Sequence, residues 1–258
     1  MLSVQCTLSS ELGGLAGSVF YIDTESTFSA ERLVEIAEAK HPDLLVGDKL
    51  VELTSRVIVD THQTCASLMN RLNTIEKEII KKNVKLVIVD SIASLVRKEY
   101  STSMVSNITD RNNFLTQQAA LLKYIAETFS IPVVVTNQIT TRFQSQGVGA
   151  GPGKASDVIQ MDGESSYVTA ALGNTWSHSV NTRLILQYHT DNERQVMVAK
   201  SPVAPFTVFT YTIQKAGLVQ KEGGAGHYSG TDPGKQNIQV KSALRIDTFT
   251  RAMGPDQG

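Results

Sequence analysis

Three apolar runs in this chain each end in a polar residue of a particular kind. "SVFYID" (18–23) leads into Thr24 and Glu25, "KLVIVD" (85–90) closes on Asp90 and Ser91, and "IPVVVTNQ" (131–138) closes on Asn137 and Gln138. A carboxylate at the end of an apolar strand is a usual means of holding magnesium, often through water, beside a nucleoside triphosphate. That is the chemistry Asp90 offers. A glutamate one strand over can orient and deprotonate an attacking water, the role open to Glu25. A glutamine on the next strand can sense a terminal phosphate and pass its state to the chain that follows, the role open to Gln138. A strand-end aspartate taken alone reads as readily as a helix cap. Three such ends in order along the chain favour one site.

The elements that must position these residues are legible as alternating patterns. Strands are expected at 18–23, 56–60, 85–90 and 131–138. Between them lie helical patterns: "SAERLVEIAEAK" with Ser29 as cap, "CASLMNRLNTIEKEIIKK" with Leu68, Leu72, Ile75 and Ile79 on one face, and "NNFLTQQAALLKYIAETF". Continuous apolar strands alternating with helices predict an α/β fold, a mostly parallel sheet flanked by helices on both faces. After Gln138 the texture changes. Residues 139–170 are polar and Gly-rich, and read as a long mobile loop. "NTRLILQY", "RQVMVAKS" and "FTVFTYTI" then follow with hardly any helix between them, which predicts an antiparallel meander at the C-terminal end of the fold. The domain expected is 1–220, with 221–258 a mostly disordered tail.

A chain of 258 residues can bury a sizeable core. Its formal net charge of −1 supplies no global field toward nucleic acid or membrane, so any such contact must be a local patch. Cys6 and Cys65 have no metal-ligand spacing, which suits a reducing compartment. No apolar run has the length of a membrane span, and the first residues lack the basic start and apolar core of a signal peptide, so a soluble intracellular protein is expected. "GVGAGPGKAS" (147–156) imitates a phosphate loop but fails its pattern: Ala155 stands where a Ser or Thr must ligate magnesium, and Val148 where the first glycine belongs. A flexible Gly-rich loop is the better reading.

"VFYIDTESTFSAERLVEIAE", "KLVIVDSIASLVRKEY", "IPVVVTNQIT" and "ALGNTWSHSVNTRLIL" together resemble the eukaryotic RecA-type recombinases, and among them the B group of their DNA-repair paralogues. The resemblance covers roughly residues 10–220, with the motifs in family order. It implies a RecA-like P-loop NTPase core that binds ATP and Mg2+. It further implies a nuclear protein, in full-length form a DNA-dependent ATPase, that works in homologous-recombination repair of DNA double-strand breaks. Glu25 matches the family's catalytic glutamate, Asp90 its magnesium-site aspartate and Gln138 its γ-phosphate sensor. Arg32 matches an arginine that packs on the adenine ring. Residues 97–111 take the place of the first DNA-binding loop and 139–170 that of the second, which makes Arg97, Lys98, Tyr100, Arg142 and Phe143 candidate contacts to single-stranded or branched DNA, with Lys154 beside them. Basic residues next to an aromatic suit phosphate neutralisation plus base stacking; a solvated surface turn is the plain alternative. The expected partners are sister paralogues, the C paralogue first among them, and no membrane.

Two departures from the family pattern stand out. "AKSPVAPF" (199–206), which contains Pro205, resembles the cap that one protomer lays over its neighbour's nucleotide, yet Lys200 stands where the recombinase proper has an aspartate. An ammonium there can take the place of a bound monovalent cation near the γ-phosphate; a surface lysine at a strand end is the alternative. Second, no Gly-x-x-x-x-Gly-Lys-Ser/Thr occurs in the 258 residues. The chain is therefore expected to be an N-terminally truncated paralogue, inactive in isolation and with an unpaired apolar strand edge. The alternative function is a non-catalytic scaffold or short isoform that competes for a partner. Phe249 and Ala252 form a Phe-x-x-Ala pattern of the kind that links protomers, a four-residue match that arises easily by chance.

Overall fold

The computed structural model describes residues 1–100, 105–143, 159–160 and 166–227. Its centre is a four-stranded parallel sheet in the order β2-β1-β3-β4, built from β1 (Ser18–Asp23), β2 (Val57–Thr61), β3 (Val84–Asp90) and β4 (Val133–Val135). The strands are runs of β-branched and aromatic residues, which suit a pleated surface covered on both sides. Register brings their carboxyl ends level. Asp23 pairs with both Thr61 and Asp90, and Val89 pairs with Val135, so the residues that follow emerge side by side.

Alternation along the strands divides the sheet into two buried faces. Phe20, Ile22, Val87 and Val89 point to one side, where they meet helices α4 (Cys65–Thr74), α5 (Glu76–Lys81), α6 (Ile92–Glu99), α7 (Val105–Phe129) and α8 (Gly173–Ser179). Val19, Leu86 and Ile88 point to the other with Cys6 of α1 (Leu2–Thr7). On that side Val4 and Leu8 also pack with Leu33 and Ile36 of α2 (Ala30–Lys40) and Leu53 of α3 (Asp48–Ser55). Ser29 caps its helix as expected, accepting the Arg32 N–H, and two caps that were not expected join it: Thr64 accepts the Ser67 N–H and Ser91 that of Ser94.

Several boundaries differ from the sequence expectation. The helix expected over 65–82 is two helices, α4 and α5, that meet at Ile75. The fourth strand is three residues long, not eight. Of the residues described within 97–111 most are helical: Arg97, Lys98 and Glu99 are the last turn of α6, and α7 begins at Val105, seven residues before the expected start. Part of 139–170 is strand, since β5 (Ile139–Phe143), β6 (Ile159–Gln160) and β7 (Ser166–Ala170) pair antiparallel in the order β5-β7-β6. The meander is present as β8 (Arg183–Tyr188), β9 (Arg194–Lys200), β10 (Thr207–Gln214) and β11 (Gly217–His227), in the order β11-β10-β9-β8. Strand β11 continues through His227, so the first residues assigned to the tail are sheet. The Gly-rich stretch 147–156, Phe249 and Ala252 lie outside the described residues.

Both four-stranded sheets end in an edge. Among the described residues β4 pairs only with β3, and β8 only with β9. On β8 every second residue, Leu184, Leu186 and Tyr188, is exposed. The edge expected from the sequence concerns the parallel sheet, where β4 has an open side; the exposed residues of β8 lie on a face of the separate antiparallel sheet.

Candidate active site

The site is built at the carboxyl ends of β1, β3 and β4, where ligands gather in open α/β sheets. The turn after β1 is held by Asp23, only 3% exposed. Its carboxylate accepts the Glu25 N–H at 3.0 Å and the Phe28 N–H at 2.8 Å, which folds residues 24–28 back over the strand end. Thr24 locks that turn to the next strand: its hydroxyl donates to the Ser91 carbonyl at 2.6 Å and accepts the Ser91 N–H at 2.9 Å. Glu25 is thereby aimed at β3 and β4. One carboxylate oxygen accepts the Ser91 hydroxyl at 2.6 Å and the Gln138 side-chain amide at 3.0 Å.

Asp90 sits beside this group. One carboxylate oxygen accepts the Thr136 hydroxyl at 2.6 Å, and the other accepts the Tyr21 phenol. Burial, together with that hydrogen bond to Asp90, pushes the Tyr21 phenol well above its ordinary pKa. Tyr21 thus remains a donor at neutral pH, and Asp90 is oriented from both sides. Among the described residues no group of three or more His, Cys, Asp or Glu side chains gathers to hold a metal. The donor set is one that Mg2+ could use: Asp90 would be the carboxylate to hold the ion, directly or through water, with nucleotide phosphates as its other usual ligands.

The other candidate residues fall in different places. Arg97 reaches Gln138, donating to its Oε1 at 2.7 Å and to the Ile139 carbonyl at 3.2 Å. Lys98 is exposed and lines a cleft of about 250 Å3 with Thr24, Glu25, Ser26, Gln63 and Ser94. The Tyr100 ring is partly buried and lies against Phe114, centroids 5.8 Å apart, at the border of the main core. Arg142 and Phe143 lie on β5, opposite Tyr167 and Ser166 of β7. Arg32 is tied to the turn after β10: it donates to the Gln214 carbonyl at 2.7 Å and to the Lys215 carbonyl at 3.3 Å, and pairs with Glu35. Lys200 donates to the carbonyls of Val180 and Ser177, at 2.7 and 3.3 Å, at the C-terminal end of α8 where backbone carbonyls lack helical partners. Pro205 is on the exposed turn after β9, beside Val203, which is 90% exposed.

Glu25, Asp90 and Gln138 come together; Arg32, Lys200 and Pro205 lie apart from them on the C-terminal sheet and its contacts. Sequence reasoning missed Tyr21 and Thr136 as the groups that orient Asp90. The signal was available in the strand period. Tyr21 pairs with Ile88, two residues before Asp90 on the same face, and Thr136 is the residue after Val135, the partner of Val89.

The sequence model of the Rad51 family matches residues 1–221. The chain belongs to the Rad51 family. It is 51% identical over 227 residues to the human protein named DNA repair protein RAD51 homolog 2, and 54% identical over 228 residues to its mouse counterpart. Those alignments cover 86% and 85% of this chain but 59% and 64% of the two relatives, so the chain spans about three fifths of their length. A more distant member, the meiotic recombination protein DMC1 of Saccharomyces cerevisiae, is 28% identical over 218 residues, 84% of this chain and 59% of the relative. Membership in the Rad51 family accords with the α/β architecture and with the helices on both faces of the parallel sheet.

Proposed function

We propose that this chain belongs to an ATP-dependent protein of homologous-recombination repair that binds single-stranded DNA and acts in the nucleus with sister paralogues, the C paralogue first among them. The observation that carries this reading is the direct hydrogen bond from Gln138 to Glu25 beside Asp90, three residues from three different strand ends. In this reading Glu25 activates water, Asp90 holds Mg2+ and Gln138 senses the γ-phosphate. The names of the human and mouse relatives, both DNA repair proteins, support the same process. Lys98 beside the cleft and Arg97 at the end of α6 supply the local positive charge that a net charge of −1 does not.

The test uses the full-length protein with its partner. ATP with Mg2+ is expected to tighten binding of oligo(dT) at least about 5-fold, and Asp90→Asn to remove that gain. Equal affinity with and without ATP would overturn the reading. Lys200 adds a second expectation. Because its ammonium already occupies carbonyls at the end of α8, ATP-dependent DNA binding needs no potassium, and Lys200→Ala creates a potassium requirement. Strong potassium dependence in the unaltered protein would refute this.

A second reading rests on the open sides that β4 and β8 show among the described residues. Among the described residues β4 and β8 each pair on one side only, and β8 also exposes Leu184, Leu186 and Tyr188, so another polypeptide can add a strand at these edges. A non-catalytic scaffold that competes for a partner would show partner binding that survives both Glu25→Gln and Asp90→Asn and owes nothing to nucleotide.

A further inference from the structure

Two arginines stand at the two ends of the segment 97–111, Arg97 in the last turn of α6 and Arg111 in α7. Each reaches across to a different foot of the β5–β7 pair. Arg97 grips the first foot, through Gln138 Oε1 at 2.7 Å and the Ile139 carbonyl at 3.2 Å. Arg111 grips the second, through the Ala171 carbonyl at 3.0 Å. The feet are themselves joined, because the Ala171 N–H donates to the Gln138 carbonyl at 2.9 Å and Ile139 pairs with Ala170. The same Gln138 side chain donates to Glu25 at 3.0 Å.

A side-chain amide has one acceptor end and one donor end. With the Arg97 guanidinium on its oxygen, the Gln138 amide must present its nitrogen to Glu25, since the reverse orientation would set donor against donor. Arg97 therefore fixes which end of Gln138 the carboxylate meets. A phosphate is a stronger acceptor for a guanidinium than a neutral amide oxygen, and Arg97 is exposed. A nucleic-acid phosphate that arrives there draws the guanidinium from Gln138 and frees the amide to turn.

We infer that Arg97 and Arg111 clamp the two feet of β5–β7, and that Arg97 is a positioning residue through which bound single-stranded nucleic acid alters the Gln138–Glu25 contact. This rests on the proposed reading of Glu25 and Gln138 as water-activating and phosphate-sensing groups. The clamp makes α6, α7, β5 and β7 one mechanical unit, and Gln138 its point of contact with the chemistry.

The experiment compares the full-length protein and its Arg97→Lys and Arg111→Lys variants, each with its partner. Lysine keeps the charge but is a point donor that cannot span Gln138 Oε1 and the Ile139 carbonyl with a planar fork. Two readouts are taken: amide hydrogen exchange over 139–143 and 166–170 without ligand, and ATP hydrolysis with and without oligo(dT). With hydrolysis compared at saturating oligo(dT), Arg97→Lys is expected to speed exchange at 139–143 and to lower the ratio of stimulated to unstimulated hydrolysis at least about 5-fold. Arg111→Lys is expected to speed exchange at 166–170. Unchanged exchange in both variants overturns the clamp, and an unchanged stimulation ratio in Arg97→Lys overturns the positioning role. If the unaltered protein neither hydrolyses ATP nor binds oligo(dT), the parent reading and the positioning role fail together, and exchange alone decides the clamp.

Discussion

The parallel sheet and the C-terminal antiparallel sheet have the same number of strands but solve burial differently. In the first, Phe20, Ile22, Val87 and Val89 cover one face and Val19, Leu86 and Ile88 the other, all inside helical layers. In the second, β8 alternates half-buried Arg183, Ile185 and Gln187 with exposed Leu184, Leu186 and Tyr188. The parallel sheet spends its sequence on packing along the strands and places its polar groups at the carboxyl ends, where Asp23, Asp90 and Gln138 converge. The antiparallel sheet keeps polar groups along its length and contributes to other elements through its margins, Arg32 on Gln214 and Lys200 on α8. The lesson is positional: chemistry that needs fixed geometry sits at the ends of the strands covered on both faces.

Phe20→Ala should show the contrast most strongly. The side chain is fully buried, and the Arg71 guanidinium lies 4.6 Å from its ring centroid. Its loss is expected to cost about 3–5 kcal/mol in denaturant unfolding of the full-length protein; a cost near that of a surface change would mean the parallel sheet is not the stable centre. Next in size is Asp23→Ala, which strips the Glu25 and Phe28 N–H groups of their acceptor. About 2 kcal/mol should be lost in the same measurement, and backbone exchange at residues 24–28 should accelerate ahead of the rest of the sheet. Uniform acceleration would show that the turn is held by something else.

Gln118→Leu runs in the opposite direction. Gln118 of α7 is 0% exposed, and neither its amide nitrogen nor its oxygen has a hydrogen-bond partner among the described residues. Replacing it with a similarly sized apolar side chain should raise stability by about 1 kcal/mol, and a loss would point to a polar partner for that amide in the complete assembly. Smallest is Leu186→Thr on β8. Because the residue is 60% exposed, the change should stay within about 0.5 kcal/mol in the isolated protein. A larger loss once the partner is bound would place that edge inside an interface.

Much of this organisation was legible in the residues. Apolar runs that close on Asp23, Asp90 and Gln138 located the parallel strands, and the 3.6-residue period located α2, α4 and α7. The strand-end rule also brought Glu25, Asp90 and Gln138 to one place. What the sequence hid was contact-dependent. Arg97 reads as a loop cation because Lys98 and Tyr100 follow it, but the helical turn it occupies aims it at Gln138, which lies 41 residues away in the chain. Tyr100 reads as a free aromatic, yet Phe114 is there to receive it. Lys200 and Arg32 end on backbone carbonyls, and a carbonyl leaves no mark in a sequence. The break at Ile75 is hidden for a similar reason, because the apolar stripe of Leu72, Ile75 and Ile79 continues across it and all three are buried.

The central claim is that Glu25, held by Ser91 and Gln138 next to Asp90, activates water on a bound nucleotide. Its most direct test is single-turnover ATP hydrolysis by the full-length protein in complex with its partner, with Glu25→Gln beside it and nucleotide retention measured on the same samples. The account predicts that retention persists while the hydrolytic step slows at least about 100-fold. Hydrolysis at the unaltered rate in Glu25→Gln, with nucleotide still bound, would contradict it.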